Sequence, residues 1–350
     1  MTFPALRAQL RRGLDEHAFP GVVCQVGRRA EALETIACGR LSYDDSSSAC
    51  SEATLFDLAS LTKVIATTSL VMHGVRHGRL AVDTRVTDIL PEWTIAGADR
   101  ITVGHLLDHS AGLPAHVRLW ERAADAAQMR QHVLLVERDA PVGQQSVYSD
   151  VGFLILGLLL ERLAGPLDVQ WRALWPEEFA WLGYLPPADL RPTIAPTEFD
   201  SWRGRLLCGE VHDENAARLD GVAAHAGLFG TAEAVGMFAR EVMRSHREDT
   251  WLATPSVIRA FTTPRPVPGS SRALGWDTMR PTSSCGTRMS PGAFGHTGFT
   301  GTSLWIDLEQ DYYVVLLTNR VHPTRTNDRF VPMRSVIHDA IADDLAAASA

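Results

Sequence analysis

The sequence contains almost no lysine. Of its 33 basic residues only one, Lys63, is a lysine, and the other 32 are arginines. A bias towards arginine can reflect codon usage alone, but this position has not followed it. Lysine can lose its proton when it is buried or crowded, whereas arginine, with a pKa above about 12, effectively cannot. The single lysine is therefore where we look first for a base.

Long apolar runs and an excess of positive charge are also absent. The longest apolar stretch covers residues 151–160, about half of the roughly 20 residues that a bilayer span needs. We interpret it as a buried helix. The formal net charge is -8, which argues against a basic face for nucleic acid or for an anionic membrane. We expect no nucleic-acid partner and no membrane span.

Signals of secretion are scarce. Residues 1–21 predict an amphipathic helix ended by Pro20 and Gly21, without the apolar core or the cleavage site of a secretory signal. The five cysteines have long spacings and no C-x-x-C motif. Cys24 and Cys38 could face each other across a hairpin, but free thiols in a reducing compartment are favoured. We expect a cytoplasmic protein.

The chain has strand-forming segments near both ends and helical segments between and after them. Alternating apolar residues bounded by turn residues predict strands, and apolar residues at helical spacing predict helices. The predicted strands are at residues 21–26, 33–38, 303–307 and 312–317, and the predicted helices are at 60–78, 151–163 and 330–348.

This order predicts an α/β fold in which one sheet is assembled from both chain termini. Helices flank the sheet, and a mostly helical subdomain is inserted between its two halves. We expect residues 1–350 to form a single domain. Its α/β part covers about 1–80 and 255–350, and the helical insertion covers about 81–254.

Ser60 and Lys63 are spaced so that their side chains can meet. They stand three residues apart at the start of a predicted helix, where residues i and i+3 share a face with Cβ atoms about 5–6 Å apart. A serine hydroxyl is a poor nucleophile until a neighbouring base takes its proton. Alone, S-x-x-K is a weak motif, and an N-cap serine with a solvated lysine is the favoured explanation of it. The absence of every other lysine favours the catalytic interpretation.

Two later segments complete a known pattern. Tyr148-Ser149-Asp150 opens the apolar helix at 151–163, and His296-Thr297-Gly298 precedes the strand at 303. Together with Ser60-x-x-Lys63, these motifs resemble those of the serine β-lactamase and penicillin-binding-protein family. The resemblance is closest to its class C-like branch, which includes esterases and D-amino-acid peptidases. It covers about residues 20–340 and includes three further segments, at 101–114, 295–302 and 317–320.

The resemblance implies the β-lactamase/transpeptidase-like fold and an acyl-enzyme mechanism. Ser60 would be the acylated nucleophile, and Lys63 and Tyr148 together would move its proton. A tyrosine normally titrates near pH 10 and a lysine near about 10.4, so neither is a good base unaided. A neighbouring cation lowers the pKa of a tyrosine, and burial lowers that of a lysine. Which of the two accepts the proton stays open.

The third motif is expected to form the edge of the site. By resemblance, His296, Thr297 and Gly298 would line the edge strand beside the substrate. The backbone N–H groups of Ser60 and Phe299 would form the oxyanion hole. Gly298 suits a place where a substrate approaches the backbone closely. The resemblance implies no cofactor and no metal.

Two positions depart from the family pattern and bear on the substrate. Asp150 stands where the pattern usually has Asn, and an ionised carboxylate only accepts hydrogen bonds. If it points at Lys63, it favours the charged amine and shifts the basic role towards Tyr148. His296 stands where many relatives have Lys, and a mostly neutral histidine suits a substrate carboxylate less well. Both departures favour neutral esters.

Other histidines offer weaker candidates. His105 and His109 have the i, i+4 spacing of a metal pair, but the intervening residues and the lack of a third ligand argue for a structural segment. His225 lies in a segment of small and polar residues and could face the substrate, although a structural loop is favoured.

We therefore expect a serine hydrolase that acts on carboxylic esters or small amides. The nearest alternative keeps the chemistry and changes the substrate, as in a β-lactamase, a D-Ala-type carboxypeptidase or a D-aminopeptidase. An alternative of another class is a catalytically silent binding or assembly protein, and a metallohydrolase comes last. The expected partner is a small ester, amide or β-lactam, and the physiological substrate and the oligomeric state stay open.

Overall fold

The computed structural model describes residues 2–349. Its centre is an antiparallel sheet whose strands come from both ends of the chain, as the sequence predicts. The strands are β1 (Gly21–Gly27), β2 (Ala32–Gly39), β3 (Phe56–Asp57), β4 (Leu182–Tyr184), β5 (Phe199–Asp200), β6 (Arg205–Leu206), β7 (Leu228–Gly230), β8 (Asp277–Thr278), β9 (Phe294–Gly298), β10 (Thr302–Asp307) and β11 (Tyr312–Thr318). Six of them form the central sheet in the order β2-β1-β11-β10-β9-β8.

The helices lie on both faces of the sheet and in the middle of the chain. They are α1 (Pro4–Asp15), α2 (Thr68–Arg76), α3 (Val103–Leu107), α4 (Ala126–Val133), α5 (Asp150–Ala164), α6 (Leu167–Leu174), α7 (Glu214–Arg218), α8 (Ala232–Ser245), α9 (Pro255–Thr262) and α10 (Phe330–Ser349). A π-helical turn, Lys63–Thr67, leads into α2. Within residues 2–349, no helix combines the length and the hydropathy that crossing a membrane requires.

The central strand β11 shows how the layers are held. Successive side chains of a strand point to opposite faces, and those of β11 are apolar on both. Val314 and Leu316 join the cluster formed with α1 and α10, whereas Val315 and Leu317 join the cluster formed with α8. A strand buried on both faces has a continuous apolar run rather than an alternating one. The sheet is therefore covered on both sides at this strand.

The predicted elements near the chain ends are confirmed. β1 and β2 form the expected hairpin, in which Val22 lies opposite Cys38 and Cys24 opposite Ile36. The five cysteines are all free thiols, so the disulfide alternative for Cys24 and Cys38 is not realised. The short strands β3 and β7, which pair in a second sheet, have no apolar alternation that would reveal them in the sequence.

Candidate active site

Ser60 follows a strained turn at the end of β3. The preceding residue, Ala59, has a φ of 47°, a left-handed conformation that costs a residue with a Cβ about 1–2 kcal/mol. Its N–H donates to Asp57 Oδ1 at 2.8 Å, and the Asp57 backbone pairs with β7. These contacts fix the turn, which places Ser60 directly before the helical segment that carries Lys63.

The loop after β9 is attached to the same turn. The hydroxyl of Thr300 donates to the carbonyl of Asp57 at 2.7 Å, and that of Thr302 donates to the carbonyl of Leu58 at 3.0 Å. A Cβ on Gly298 would lie 2.6 Å from the Leu58 carbonyl oxygen and 2.1 Å from Thr302 Oγ1. The close approach of the nucleophile turn therefore requires a glycine at position 298. Gly298 also lines the smaller cavity beside Ser60, and the expected close approach of a substrate there stays a prediction.

Lys63 is fully buried and reaches Ser60 directly. Its Nζ lies 2.9 Å from Ser60 Oγ, 2.7 Å from Asp150 Oδ1 and 3.2 Å from the carbonyl oxygen of His225. The ammonium also lies 4.8 Å from the centre of the Tyr148 ring. The structure therefore brings the first two sequence motifs together around one nitrogen atom.

Helix α5 presents Tyr148 and Asp150 at its start. Ser149 is the N-cap, and its hydroxyl accepts from the Gly152 N–H and donates to the Pro114 carbonyl. The N–H of Asp150 donates to the carbonyl of Ala115 at 2.9 Å. These bonds satisfy backbone groups that a helix start leaves free. They also anchor the segment at residues 109–116 against the second motif.

The two histidines at i, i+4 spacing have structural contacts. His105 caps α3 through Thr102, and His109 Nδ1 accepts the N–H of Ser149 at 3.1 Å. Burial, followed by the charges of Arg272 and Lys63, holds the pKa of His109 well below its usual value. Within residues 2–349, no group of three or more His, Cys, Asp or Glu side chains is arranged to hold a metal ion.

Charge in the centre of the site is governed by Lys63 and Asp150. Burial lowers the pKa of Lys63, but the Asp150 carboxylate and Tyr148 raise it by more, so the pKa is higher than usual. Burial raises the pKa of Asp150, but Lys63 and then His116 lower it by more, so it lies well below its usual value. The resting site therefore contains an ammonium paired with a carboxylate.

Tyr148 is a neutral phenol in the resting site. Burial raises its pKa, Lys63 lowers it and Asp150 raises it, and the net shift is upward. Its ring lies 4.8 Å from that of His109 and 5.7 Å from that of His296. Tyr148 lines the cavities on both sides of Ser60. It therefore lies between the two spaces that an acyl group and a leaving group would occupy.

His296 is neutral and almost fully buried on strand β9, just beyond the two residues of β9 that pair with the edge strand β8. Its Nδ1 lies 2.8 Å from the carbonyl oxygen of Thr297. Burial, followed by the charges of Arg272 and Lys63, holds the pKa of His296 well below its usual value. In the described part of the chain its Nε2 has no hydrogen-bond partner. His296 and Thr297 both line the smaller cavity beside Ser60.

This smaller cavity, about 280 Å³ in volume, is rich in arginine. Arg272, Arg320 and Arg334 line it together with the third motif. Arg334 lies on α10 and is 8% exposed, and burial together with the charge of Arg320 lowers its pKa to about 10. Its Nη2 donates to the carbonyls of Gly298 and Thr302 at 3.4 and 3.5 Å, and in the described structure it pairs with no carboxylate. A buried cation without a counter-ion is costly, and an anionic ligand would offset that cost.

The larger cavity, about 750 Å³, lies on the other side of Ser60 and is acidic and aromatic. Its carboxylates are Asp150, Glu198, Asp200, Asp213 and Glu214, and its aromatic residues include Trp120, Trp202 and Phe299. Much of this charge is paired internally, because Arg325 bridges Glu198 and Glu214. His225 does not line either cavity near Ser60. Its Nε2 lies 2.8 Å from Asp213 Oδ1, and its carbonyl serves Lys63, so it supports the site from behind.

The two backbone groups expected to form an oxyanion hole are available. Among residues 2–349, no backbone or side-chain acceptor takes a hydrogen bond from the N–H of Ser60 or of Phe299. Phe299 lines both cavities together with Ser60 and is 49% exposed. Two unpaired N–H groups beside a nucleophile are the arrangement that stabilises a developing oxyanion.

The site also contains residues that the sequence motifs did not reveal. The three arginines of the smaller cavity come from separate segments, and His116 reaches Asp150 from a loop. With 32 arginines in the chain, no local pattern distinguishes these from the others. His116 stands two residues beyond the family-like segment at 101–114. That segment indicated the position of His116 but not its contact with Asp150.

Comparison with known proteins agrees with the fold and with the family that the sequence resembles. The sequence profile of the family described as Beta-lactamase matches residues 6–334. The N-acetylmuramyl-L-alanine amidase of Bacillus subtilis is 31% identical over 345 residues, covering 87% of this chain and 78% of the relative. A putative D-alanyl-D-alanine carboxypeptidase of Escherichia coli K12 is 31% identical over 305 residues, covering 77% of this chain and 70% of the relative.

A solved structure extends the likeness across the fold. EstCE1, described as a hydrolase with promiscuous acyltransferase activity, superposes with a TM-score of 0.76 at 20% identity and covers 97% of each chain. The profile match and the two relatives span most of the sequence. The chain therefore belongs to the beta-lactamase family of serine hydrolases.

Proposed function

We propose that Ser60 attacks a carbonyl carbon and forms an acyl-enzyme that water then hydrolyses. The observation that carries this proposal is the 2.9 Å contact between Lys63 Nζ and Ser60 Oγ, at the wall between two cavities. The unpaired N–H groups of Ser60 and Phe299 would stabilise the tetrahedral oxyanion, and each such donor is typically worth about 3 kcal/mol.

We infer that Lys63 is the direct proton acceptor and that Tyr148 passes the proton to the leaving group. Geometry decides first which group can act as a base, and Lys63 Nζ lies within hydrogen-bond distance of Ser60 Oγ. Lys63 accepts that proton in the fraction of molecules in which it has lost one of its own to solvent, and the Asp150 carboxylate, 2.7 Å away, keeps that fraction small. The sequence favours Tyr148 for the basic role if Asp150 points at Lys63. That condition is met, and Tyr148 hydrogen-bonds to Ser60 as well. We choose Lys63 because its amine contacts both Ser60 and Asp150.

The arginines of the smaller cavity support esters and small amides whose leaving group bears a carboxylate. A planar guanidinium matches a carboxylate with two parallel hydrogen bonds. Arg334 is buried without a counter-ion, and Arg272 lies beside the Tyr148 ring at 5.1 Å. The two relatives named as an amidase and a putative D-alanyl-D-alanine carboxypeptidase support amides, and among these a peptide that ends in a D-amino acid is the first to test.

Neutral esters, which the sequence favoured, are the second candidate. The neutral state of His296 supports them, because this position supplies no charge to a substrate carboxylate. The 750 Å³ cavity also has room for a bulky acyl group.

The cytoplasmic location and the division of the domain near residues 80 and 255 stay predictions.

Initial rates on matched substrates would test both candidates. A peptide ending in D-alanyl-D-alanine is compared with the same peptide as a C-terminal amide, and a p-nitrophenyl ester is compared with a chromogenic cephalosporin. We expect Ser60→Ala to remove turnover of all four, by at least about 10³-fold. Arg272→Gln should raise the KM for the free acid and leave that of the amide unchanged. Full hydrolysis by Ser60→Ala would overturn the proposed function, and equal rates on acid and amide would favour neutral esters.

A further inference from the structure

A chain of polar contacts runs from Ser60 to the surface of the larger cavity. Ser60 Oγ lies 2.9 Å from Lys63 Nζ, Lys63 Nζ lies 2.7 Å from Asp150 Oδ1, and Asp150 Oδ2 lies 3.4 Å from His116 Nδ1. The lysine end is fully buried, whereas the His116 side chain is 43% exposed. The one lysine of the sequence is thus linked, through a single carboxylate, to an imidazole that exchanges protons with solvent.

The backbone holds this contact in place. The carbonyl of Ala115, the residue before His116, accepts the N–H of Asp150 at 2.9 Å. The preceding carbonyl, that of Pro114, accepts the Ser149 hydroxyl at 2.7 Å. Two adjacent residues of the loop are therefore bonded to the start of α5, which keeps the imidazole beside the carboxylate.

We propose that His116 is a positioning residue that controls, through Asp150, how readily Lys63 gives up its proton. This inference rests on the proposed role of Lys63 in the acylation of Ser60. The two oxygens of Asp150 face different partners, Lys63 on one side and His116 on the other. When His116 is protonated, its charge offsets that of the carboxylate and weakens the hold of Asp150 on the Lys63 proton. When His116 is neutral, Asp150 acts on Lys63 alone.

The charged groups around His116 favour its protonated form. Its hydrogen bond with Asp150 raises the pKa of His116, burial lowers it, and the charges of Asp213 and Glu214 raise it further, so the net shift is upward from the usual value near 6.5. Lys63 is faced by Asp150 and Tyr148. Asp150 is faced by Lys63, His116 and the more distant His225. The imidazolium therefore persists into the neutral range, where its effect on Lys63 can be measured.

The sign of the effect follows from these charges. Lys63 must be deprotonated to accept a proton from Ser60, and a cation at His116 favours that state. A charge within about 4–6 Å shifts a pKa by about 1–3 units. The shift in the Lys63 pKa that is relayed through Asp150 should be about half a unit to one unit, which changes the deprotonated fraction of Lys63 by about 3- to 10-fold.

Variants with a fixed charge at position 116 test the proposal through pH profiles of kcat. His116→Arg carries a permanent cation and His116→Gln carries none. The kcat of the wild type should follow that of His116→Arg at low pH and that of His116→Gln at high pH. The kcat values of the two variants should differ by about 3- to 10-fold. In the Asp150→Asn background this difference should vanish. Parallel profiles, a change confined to KM, or an undiminished difference without Asp150 would overturn the proposal.

The single lysine allows a second measurement that does not depend on turnover. With 13C-labelled lysine, the protein gives one side-chain signal, that of Lys63, whose titration by NMR reports its pKa. At the high pH where Lys63 titrates His116 is neutral, so His116→Gln should match the wild type. His116→Arg should lower the Lys63 midpoint by about half a unit to one unit. An unchanged midpoint in His116→Arg would reject the coupling even if Ser60 is inactive, whereas a lowered midpoint without Ser60-dependent turnover would reject only the proposed function.

Discussion

The carboxylate of Asp150 lies 2.7 Å from the ammonium of Lys63, which is fully buried. This pair stabilises the charged form of the one side chain that must become neutral to act as a base. In the motif that the sequence resembles, an uncharged asparagine usually stands at this position. The pair therefore makes the reaction more sensitive to pH and to neighbouring charges than an asparagine would.

Lys63→Arg tests why the one lysine was kept. Arginine preserves the charge but cannot lose its proton, so we expect kcat/KM to fall by at least about 10²-fold. Arg11→Lys, at an exposed position, is the matched control and should leave kcat/KM unchanged. Thermal melting of each variant reports whether it is folded. Activity near the wild-type level in Lys63→Arg would show that Lys63 acts only as a cation and that Tyr148 is the base.

Asp150→Asn should move the acidic limb of the pH–rate profile to lower pH. The negative charge of Asp150 raises the pKa of both Lys63 and Tyr148, so its removal lowers both values whichever group is the base. A shift of about 1–3 units is expected for the loss of a charge in contact. The measurement is kcat/KM from about pH 5 to pH 10. A limb that stays in place while the rate falls would show that Asp150 mainly positions other groups.

Phe299→Pro should remove one donor of the oxyanion hole. Proline has no N–H, and the loss of one such donor typically costs about 10²–10³-fold in kcat. Phe299→Ala keeps the N–H and removes the exposed ring, so it separates the backbone contribution from that of the side chain. We expect kcat to fall only in the proline variant. Equal losses in both would assign the effect to the ring or to a distorted loop, which thermal melting would reveal.

Gly298→Ala should destabilise the fold and disturb the nucleophile turn. The new Cβ would lie 2.1 Å from Thr302 Oγ1 and 2.6 Å from the Leu58 carbonyl oxygen, so either strand β9 or the turn must move. Overpacking of this kind typically costs about 1–3 kcal/mol in the free energy of unfolding. Gly152→Ala is the control, because its nearest neighbours lie at 3.6 Å or more. Denaturant unfolding of both variants measures the difference, and equal stabilities would contradict the proposed tight approach.

Much of the site could be predicted because its groups belong to local patterns. Ser60 and Lys63 share one helical turn, so their contact follows from spacing alone. Tyr148 and Asp150 were found as a motif at a helix start, and Ser149 has the N-cap role typical of such a position. The strand β11 was evident because both of its faces are apolar.

Other contacts left no trace in the sequence. Arg272 and Arg334 line the same cavity as His296 only because the fold brings a loop and the C-terminal helix to it. The short strand β3 was missed because two residues cannot show alternation. The role assigned to Gly298 was incomplete, because the sequence does not show that the Leu58 carbonyl lies against it.

The sequence by itself determined the order of the elements, the nucleophile motif and the identity of the one side chain able to act as a buried amine base, because these depend on local spacing and residue chemistry. Only the tertiary structure decided the charges around them. Asp150 holds Lys63 as an ammonium and also contacts His116, whose charge changes with pH. Arg334 lies without a counter-ion beside the third motif. Electrostatic interactions depend on distance and burial, and both are set by residues far apart in the chain.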